Sequence, residues 1–240
     1  MLELKPERFD LRDYNEQRVT ISGRSMIADR SGALFWPSED ALIIADMHLE
    51  KGSHFARQGR MLPPYDTRAT LLALAEVIDK YGAESIITLG DSFHDQDGPA
   101  RMHPQDREIL AILQDDCEWY WVTGNHDPVL PDTIGGQILN ELVVGGLTLR
   151  HEPAIGPVTH EIAGHMHPAA RISLYGHTLR RPCFIGNGRR MVLPAFGAYT
   201  GGLNVLDTAF EPLFGHDGFN VCMMGHEGLY PVATRLLRED

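Results

Sequence analysis

Three short runs of apolar and β-branched residues stop abruptly at residues of metal-ligand or acid–base type. ALIIA at 41–45 runs into Asp46-Met47-His48, SIITL at 85–89 into Gly90-Asp91, and EWYWV at 118–122 into Thr123-Gly124-Asn125-His126-Asp127. Between the first two, Leu71, Leu74, Ala75 and Ile78 recur at i, i+3, i+4 and i+7 between an Asp66-Thr67 start and a Gly82 stop. This spacing predicts an amphipathic helix over 66–81. Between the second and third, residues 104–115 read as another helix with proline in its first turn. A β-α-β-α-β order implies parallel strands with right-handed crossovers, which gather their carboxyl ends on one rim. Ligands of open α/β sheets bind at that rim.

Beyond residue 135 the pattern changes to short strands with Gly-rich turns, predicting a second, largely antiparallel sheet. Two of its segments also end on imidazoles: LTLR leads to His151, and EIAG to His165-Met166-His167. Near the start, RVTI and ALFW, separated by Ser31-Gly32, suggest an antiparallel edge without chemistry of its own.

A chain of 240 residues at 43% apolar content buries one good core, and no linker composition divides it, so residues 1–240 are expected to form a single domain. No apolar run approaches the roughly 20 residues of a membrane span. The opening MLELKPERFD has no signal-peptide stretch, so a soluble, cytoplasmic protein is expected with no membrane partner. Cys117, Cys183 and Cys222 are odd in number, far apart and free of any CxxC spacing, the pattern of reduced cysteines. A formal charge of −12 argues against a protein that coats nucleic acid, while leaving room for a nucleic-acid enzyme with a local cationic site. The 12 histidines are numerous and recur beside Asp, Asn and Gly after apolar runs.

Taken alone, TGNHDP at 123–128 is a turn, since Gly, Asn, Asp and Pro are all turn formers. Company changes the reading. In extended chain, residues i and i+2 point the same way, so Asp46/His48 and His165/His167 can each aim two ligands at one point. Together with Asp91, Asn125 and His151, they form an oxygen-and-imidazole set without thiolate, suited to two borderline metal ions.

The ordered segments ADMH, LGDS, GNHD, RHEP and AGHMH resemble the signature of the calcineurin-like metallophosphoesterases. The resemblance implies an α/β four-layer αββα sandwich, two mixed β-sheets flanked by helices, with a dinuclear site at the strand C-terminal ends. It assigns Asp46, His48, Asp91 and His167 to one ion, and Asp91, Asn125, His151 and His165 to the other, with Asp91 bridging. His160 lies close in sequence and is the alternative to His151. The implied chemistry is two-metal hydrolysis of a phosphate ester. By the same resemblance His126 is not a ligand. It faces the phosphate as a catalytic group, while Asp127 orients the turn or the imidazole.

The stretch GDSFHDQ departs from the GDxxDRG of phosphoprotein phosphatases, placing His94 where they carry aspartate and Asp95 where they carry arginine. The GDxFH pattern is similar to the double-strand-break repair nuclease branch, in which the extra histidine meets a phosphodiester. His94 therefore joins His126 and Asp127 as a candidate catalytic residue. Over residues 32–204, GALFWP, ADMHLEKGSHFARQGRMLPPYDTR, LGDSFHD, GNHDP, GHMHPAAR and LPAFGAYTGGLNV resemble the bacterial ligase-associated DNA damage response endonucleases. That likeness implies a phosphodiesterase and DNA endonuclease using two divalent ions, manganese first, with iron or zinc as alternatives. Its substrate would be single-stranded or structured DNA, and its associates an ATP-dependent DNA ligase, a helicase and an exonuclease. Arg57 and Arg60, and the cluster Arg180, Arg181, Arg189 and Arg190, are the cationic candidates for a DNA backbone. His216 and His226 follow no motif and read as loop residues. The competing reading is a small-molecule phosphodiesterase or nucleotide phosphatase. A binding scaffold is disfavoured because a catalytic-type histidine accompanies every ligand.

Overall fold

The computed structural model of the chain describes residues 14–174 and 176–240. Residues 1–13, where no signal-like segment was expected, and the side chain of His216 lie outside it. The chain opens with β1 (Glu16–Ile21), β2 (Arg24–Asp29) and β3 (Leu34–Trp36), then β4 (Ala41–Ile44), α1 (Lys51–Arg57), α2 (Asp66–Tyr81) and β5 (Ser85–Leu89). There follow α3 (Gly98–Arg101), α4 (Pro104–Asp116), β6 (Glu118–Val122) and β7 (Gln137–Leu139). These strands make one sheet in the order β1 to β7, antiparallel through β4 and parallel from β4 to β7. The change of direction is where the helices enter, as right-handed crossovers require.

The second half supplies β8 (Glu141–Val144), β9 (Leu147–Arg150), β10 (Glu161–Ala163), β11 (Pro168–Leu174), β12 (His177–Gly186), β13 (Arg190–Val192) and β14 (Leu203–Asn204). After the one-turn α5 (Glu211–Phe214) come β15 (Asn220–Met224) and β16 (Leu229–Val232). The second sheet runs β14-β11-β12-β13-β10-β9-β8, with β15 pairing to β12 and β16 to β15. The fold is thus α/β with two mixed sheets, but two details differ from expectation. Gln137–Leu139 lies past residue 135 yet completes the first sheet, because it pairs in parallel with Tyr120 to Val122. The second sheet is not antiparallel where it matters: β10 is parallel to both β9 and β13.

Strand β4 shows how the layers hold together. Ala41 and Ile43 face a core between the sheets that includes Leu147, Leu149 and Ile162, while Leu42 and Ile44 face a core with Leu71 and Leu74 of α2. All four are essentially inaccessible, the condition of a strand covered on both faces. Each such Leu or Ile contributes about 1.5–3 kcal/mol on burial. The expected helix face holds: Leu71 and Leu74 are fully buried and Gly82, at φ 59°, ends α2 in the left-handed conformation. A third core, including Ile172, Ile185, Val192, Phe210 and Phe214, covers the outer face of the second sheet. The outer layer there is thin, with α5 and short 3₁₀ turns instead of long helices. Among the described residues, no helix is long and apolar enough to cross a membrane.

Candidate metal centre

Just past their last ladder pairs, the chain segments leaving β4 and β5 remain zipped together. His48 N–H donates to Asp91 O at 2.9 Å, Leu49 N–H to Ser92 O at 2.8 Å, and His94 N–H to Leu49 O at 2.9 Å. The sheets meet at these segments, so His151 after β9 and His165 and His167 after β10 come down onto Asp46, His48 and Asp91. The parallel strands of the first sheet end on one rim, as expected, and the histidines after β9 and β10 of the second sheet meet it there.

The backbone achieves this by a route the alternation argument did not anticipate. Asp46, His48, Asp91, His165 and His167 all have positive φ, at 54°, 46°, 47°, 67° and 44°. They are in the left-handed region and not in extended chain, so the i and i+2 side chains converge through a tight turn. Such non-glycine residues cost about 1–3 kcal/mol each and persist where the surroundings over-determine them. Close approach demands glycine nearby: a Cβ at Gly164 would lie 2.7 Å from Asp46 Oδ2, and one at Gly90 2.5 Å from the His151 ring.

The side chains form two adjoining groups, Asp46/His48/His167 and Asp91/His151/His165, each with its ligand atoms within 4.8 Å of one another. His48 Nε2 lies 3.2 Å from His167 Nε2 and 3.8 Å from Asp91 Oδ2, while His151 Nε2 lies 3.5 Å from Asp91 Oδ1. Asp91 therefore stands between the groups. His151 Nδ1–H donates to Leu89 O at 2.9 Å, which leaves the Nε2 lone pair facing Asn125 Oδ1 at 2.9 Å and His165 Nδ1 at 3.0 Å.

These atoms fit a cation. Asp46 is fully buried, and its Oδ1 lies 3.2 Å from His167 Nε2 without the alignment of a hydrogen bond. Lone pairs of a buried carboxylate, an amide oxygen and imidazoles converge, an arrangement costly unless positive charge lies among them. Burial, followed by the neighbouring imidazoles, pushes His48 down to about 2, and burial with His151 also lowers His165. Neutral imidazole is the form that ligates. Burial opposes protonation of His167 too, but the Asp46 carboxylate outweighs it and raises that residue.

His126 follows β6, with its backbone N–H donating to Asp91 Oδ1 at 2.8 Å. Its Nδ1–H donates to His94 O at 2.8 Å, which turns Nε2 toward the centre, 4.0 Å from Asp91 Oδ2. His48, His94 and His126 make a third group of imidazoles within the same 4.8 Å spacing. Burial, with Lys51 and His54 nearby, lowers His94 to about 4.

The structure separates the alternatives left open for the remaining candidates. Asp127 is fully buried and does not reach the centre. Its oxygens accept from the N–H groups of Asp91 at 3.0 Å, Gly124 at 2.9 Å and Phe93 at 3.0 Å, so it holds the turn and not the imidazole. Burial pushes its carboxyl up to about 6 against those bonds. His160 is exposed on the turn between β9 and β10 and belongs to none of the groups. Of the arginine cluster, Arg190 is 1% exposed and bound to Glu161 at 2.5 Å, to Leu213 O and to Ala154 O, so it cannot meet a ligand. Arg180 pairs with Asp240 at 2.9 Å and Arg189 with Asp217 at 3.3 Å. Arg57 sits at the end of α1, 3.2 Å from Asp97, and Arg60 is exposed in the loop after it. His226 is exposed in the turn between β15 and β16.

Sequence reasoning missed His54 and Arg101. His54 Nδ1 meets Asp95 Oδ2 at 2.5 Å, and Arg101 grips both Asp95 oxygens at 2.7 Å. The burial that opposes the Asp95 carboxylate is outweighed by Arg101 and His54, which hold it well below the usual range. The only signal was Asp95 itself standing in place of an arginine.

The sequence matches no protein-family model and no curated protein. Its structure is similar to the crystal structure of Pseudomonas putida nuclease MPE, with a TM-score of 0.72 and 26% identity over 91% of this chain and 100% of that one. A protein of unknown function, AQ665 from Aquifex aeolicus, overlaps at 18% identity and a TM-score of 0.37 over 53% of this chain and 78% of that one, too little to carry an argument.

Proposed function

We propose that this chain is a dinuclear metal-dependent phosphodiesterase that acts as a DNA endonuclease. The observation that carries the reading is the imidazole pair of His94 and His126 standing beside Asp91 and the two ligand groups. The likeness to a nuclease over nearly the whole chain supports it. In this reading Asp46, His48, Asp91 and His167 hold one ion and Asp91, Asn125, His151 and His165 the other. Divalent ions bound there would supply Lewis acidity toward the phosphoryl oxygens and acidify water. Manganese is the first choice, with iron or zinc as alternatives, since N/O donor sets of this kind accept all three.

The protein's own part is positioning and proton handling. His126, its Nδ1–H fixed by the His94 carbonyl, presents Nε2 to the phosphate; in the imidazolium form its Nε2–H can donate to a non-bridging phosphoryl oxygen or pass to the departing alkoxide, leaving neutral imidazole. His94 is held between His48 and His126, with ring centroids 5.5 and 5.2 Å away, and meets the diester from the same side. Asp95 stands at the sequence position where phosphomonoesterases carry an arginine and engages Arg101 through both oxygens, which favours a singly charged diester over a dianionic monoester. In this reading the activity serves DNA repair in the cytoplasm, beside a ligase, a helicase and an exonuclease, which the resemblance to ligase-associated endonucleases supports, and residues 1–240 act as one domain.

The test is a side-by-side assay of the manganese-supplied protein on a monoester, a simple diester, and single-stranded and duplex DNA. Diester and DNA cleavage above monoester cleavage is expected. Strong monoester preference with both DNA forms intact would defeat the endonuclease reading and promote the nucleotide phosphatase.

A further inference from the structure

A groove of about 600 Å³ opens beside the metal centre, within the roughly 300–1,000 Å³ of small-molecule sites. His126 lines it. One wall is His54, Arg57 and Gln58 of α1 and its C-terminal cap, and the other carries Asp95 and Asp97.

We propose that this groove is a nucleoside subsite, taking the sugar and base attached to one oxygen of the scissile phosphodiester, with His54, Arg57 and Gln58 as its recognising wall. The inference rests on the diesterase reading and refines it.

Three observations support it. The groove is continuous with the reacting position, because His126 lines it and also faces Asp91. Its charges are already matched. Asp95 is taken by Arg101 at 2.7 Å and by His54 at 2.5 Å, and Arg57 faces Asp97 at 3.2 Å. A second phosphate would find no uncommitted cation among these groups, whereas a neutral, hydrogen-bonding nucleoside would find polar ones.

Finally, the wall is pre-organised to a degree that a solvent-facing helix does not need. Gln58 Nε2–H donates to His54 Nε2 at 2.8 Å, so both ring nitrogens are fixed and the tautomer is Nδ1–H. Behind them Arg101 Nε–H donates to Ser53 Oγ at 3.0 Å, Ser53 to Glu50 at 2.6 Å, and Thr67 to Glu50 at 2.9 Å. The His54 ring stands edge-on to His94 with centroids 4.7 Å apart. Side chains locked by a supporting shell of hydrogen bonds are the mark of a recognition site. A simple alkyl or aryl ester has nothing to put there, which ties the groove to esters carrying a nucleoside.

The test compares kcat/KM of the manganese-supplied full chain on p-nitrophenyl phosphate, methyl p-nitrophenyl phosphate, the 5′- and 3′-p-nitrophenyl phosphates of thymidine, and dithymidine monophosphate. In Gln58→Ala, Arg57→Ala and His54→Ala, the advantage of nucleoside-bearing over methyl diester is expected to fall at least about fivefold, chiefly through KM. Gln58 and Arg57 lie at the exposed end of α1, so these variants keep the fold. Loss on the aryl thymidine esters places the groove on the retained side of the phosphate. Loss confined to the dinucleotide places it on the departing side. Wild type that turns over the methyl diester with no nucleoside advantage overturns the subsite and leaves the diesterase reading standing. Equal losses on all diesters also overturn it, since the residues then act on the centre or the fold. Wild type that cleaves p-nitrophenyl phosphate but none of the diesters overturns the diesterase reading, and the subsite with it.

Discussion

His94 and His126 are stacked, with ring centroids 5.2 Å apart and planes at 27°, and the backbone carbonyl of His94 also fixes the Nδ1–H of His126 at 2.8 Å. The loop after β5 thus sets both the position and the tautomer of the imidazole after β6. Replacing the His94 side chain leaves that carbonyl in place, so the two residues can be separated experimentally.

In His126→Ala both metal ions should remain bound, while diester turnover should fall by roughly 10²–10⁴, the range for losing a proton-transfer group. Metal analysis and steady-state kinetics on one preparation check it, and unchanged turnover would remove the assignment. In His94→Ala the ratio of diester to monoester hydrolysis should fall about tenfold. Equal losses on both substrates would take His94 out of substrate selection.

Asp91 stands between the two ligand groups and also accepts the His126 N–H at 2.8 Å. Asp91→Ala is therefore expected to lower metal content at both positions and to abolish activity. A folded variant that still retains two ions per chain would show that Asp91 bridges nothing.

Much of this centre was legible because parallel strands deliver their ends to a common edge, and Asp46, Asp91, Asn125 and His126 follow such strands. What was not legible depends on contacts remote in sequence. The left-handed turns at Asp46, His48, His165 and His167 have no local signature, since only the docking of one sheet on the other holds them. Arg190 reads as one of a surface cluster until Glu161, 29 residues away, takes it into the core. His54 lies 41 residues from Asp95 in a seven-residue helix too short to show a pattern. Gln137–Leu139 follows a change in composition yet belongs to the earlier sheet, because strand pairing and not composition decides membership.

Asp127 gives a test of architecture distinct from catalysis. Its carboxylate satisfies the buried N–H groups of Asp91, Phe93 and Gly124. Asp127→Ala leaves three donors without partners and should destabilise the fold by about 3 kcal/mol, with Asp127→Asn recovering part of this. Denaturant unfolding measures it. A loss of turnover with unchanged stability would instead make Asp127 a catalytic group.

Far from the centre, Asp29 at the end of β2 is 5% exposed and accepts from Ser31 N–H at 2.7 Å, Lys80 Nζ at 2.5 Å and the Tyr81 hydroxyl at 2.8 Å. It ties the antiparallel edge of the first sheet to the end of α2. Burial alone would raise its carboxyl, but Lys80 and the Ser31 bonds outweigh it and hold the group below its ordinary value. A carboxyl depressed in the folded state contributes stability that is fully present above the unfolded value of about 3.9 and lost as pH falls through the folded one. Asp29→Asn should thus cost about 2 kcal/mol at pH 7, allowing for the partly exposed Lys80. The gap between wild type and variant should hold down to about pH 4 and close below it. Urea midpoints at a series of pH values measure this. A gap that stayed constant down to pH 2 would mean that the carboxylate charge contributes nothing and that only the shape of the side chain matters.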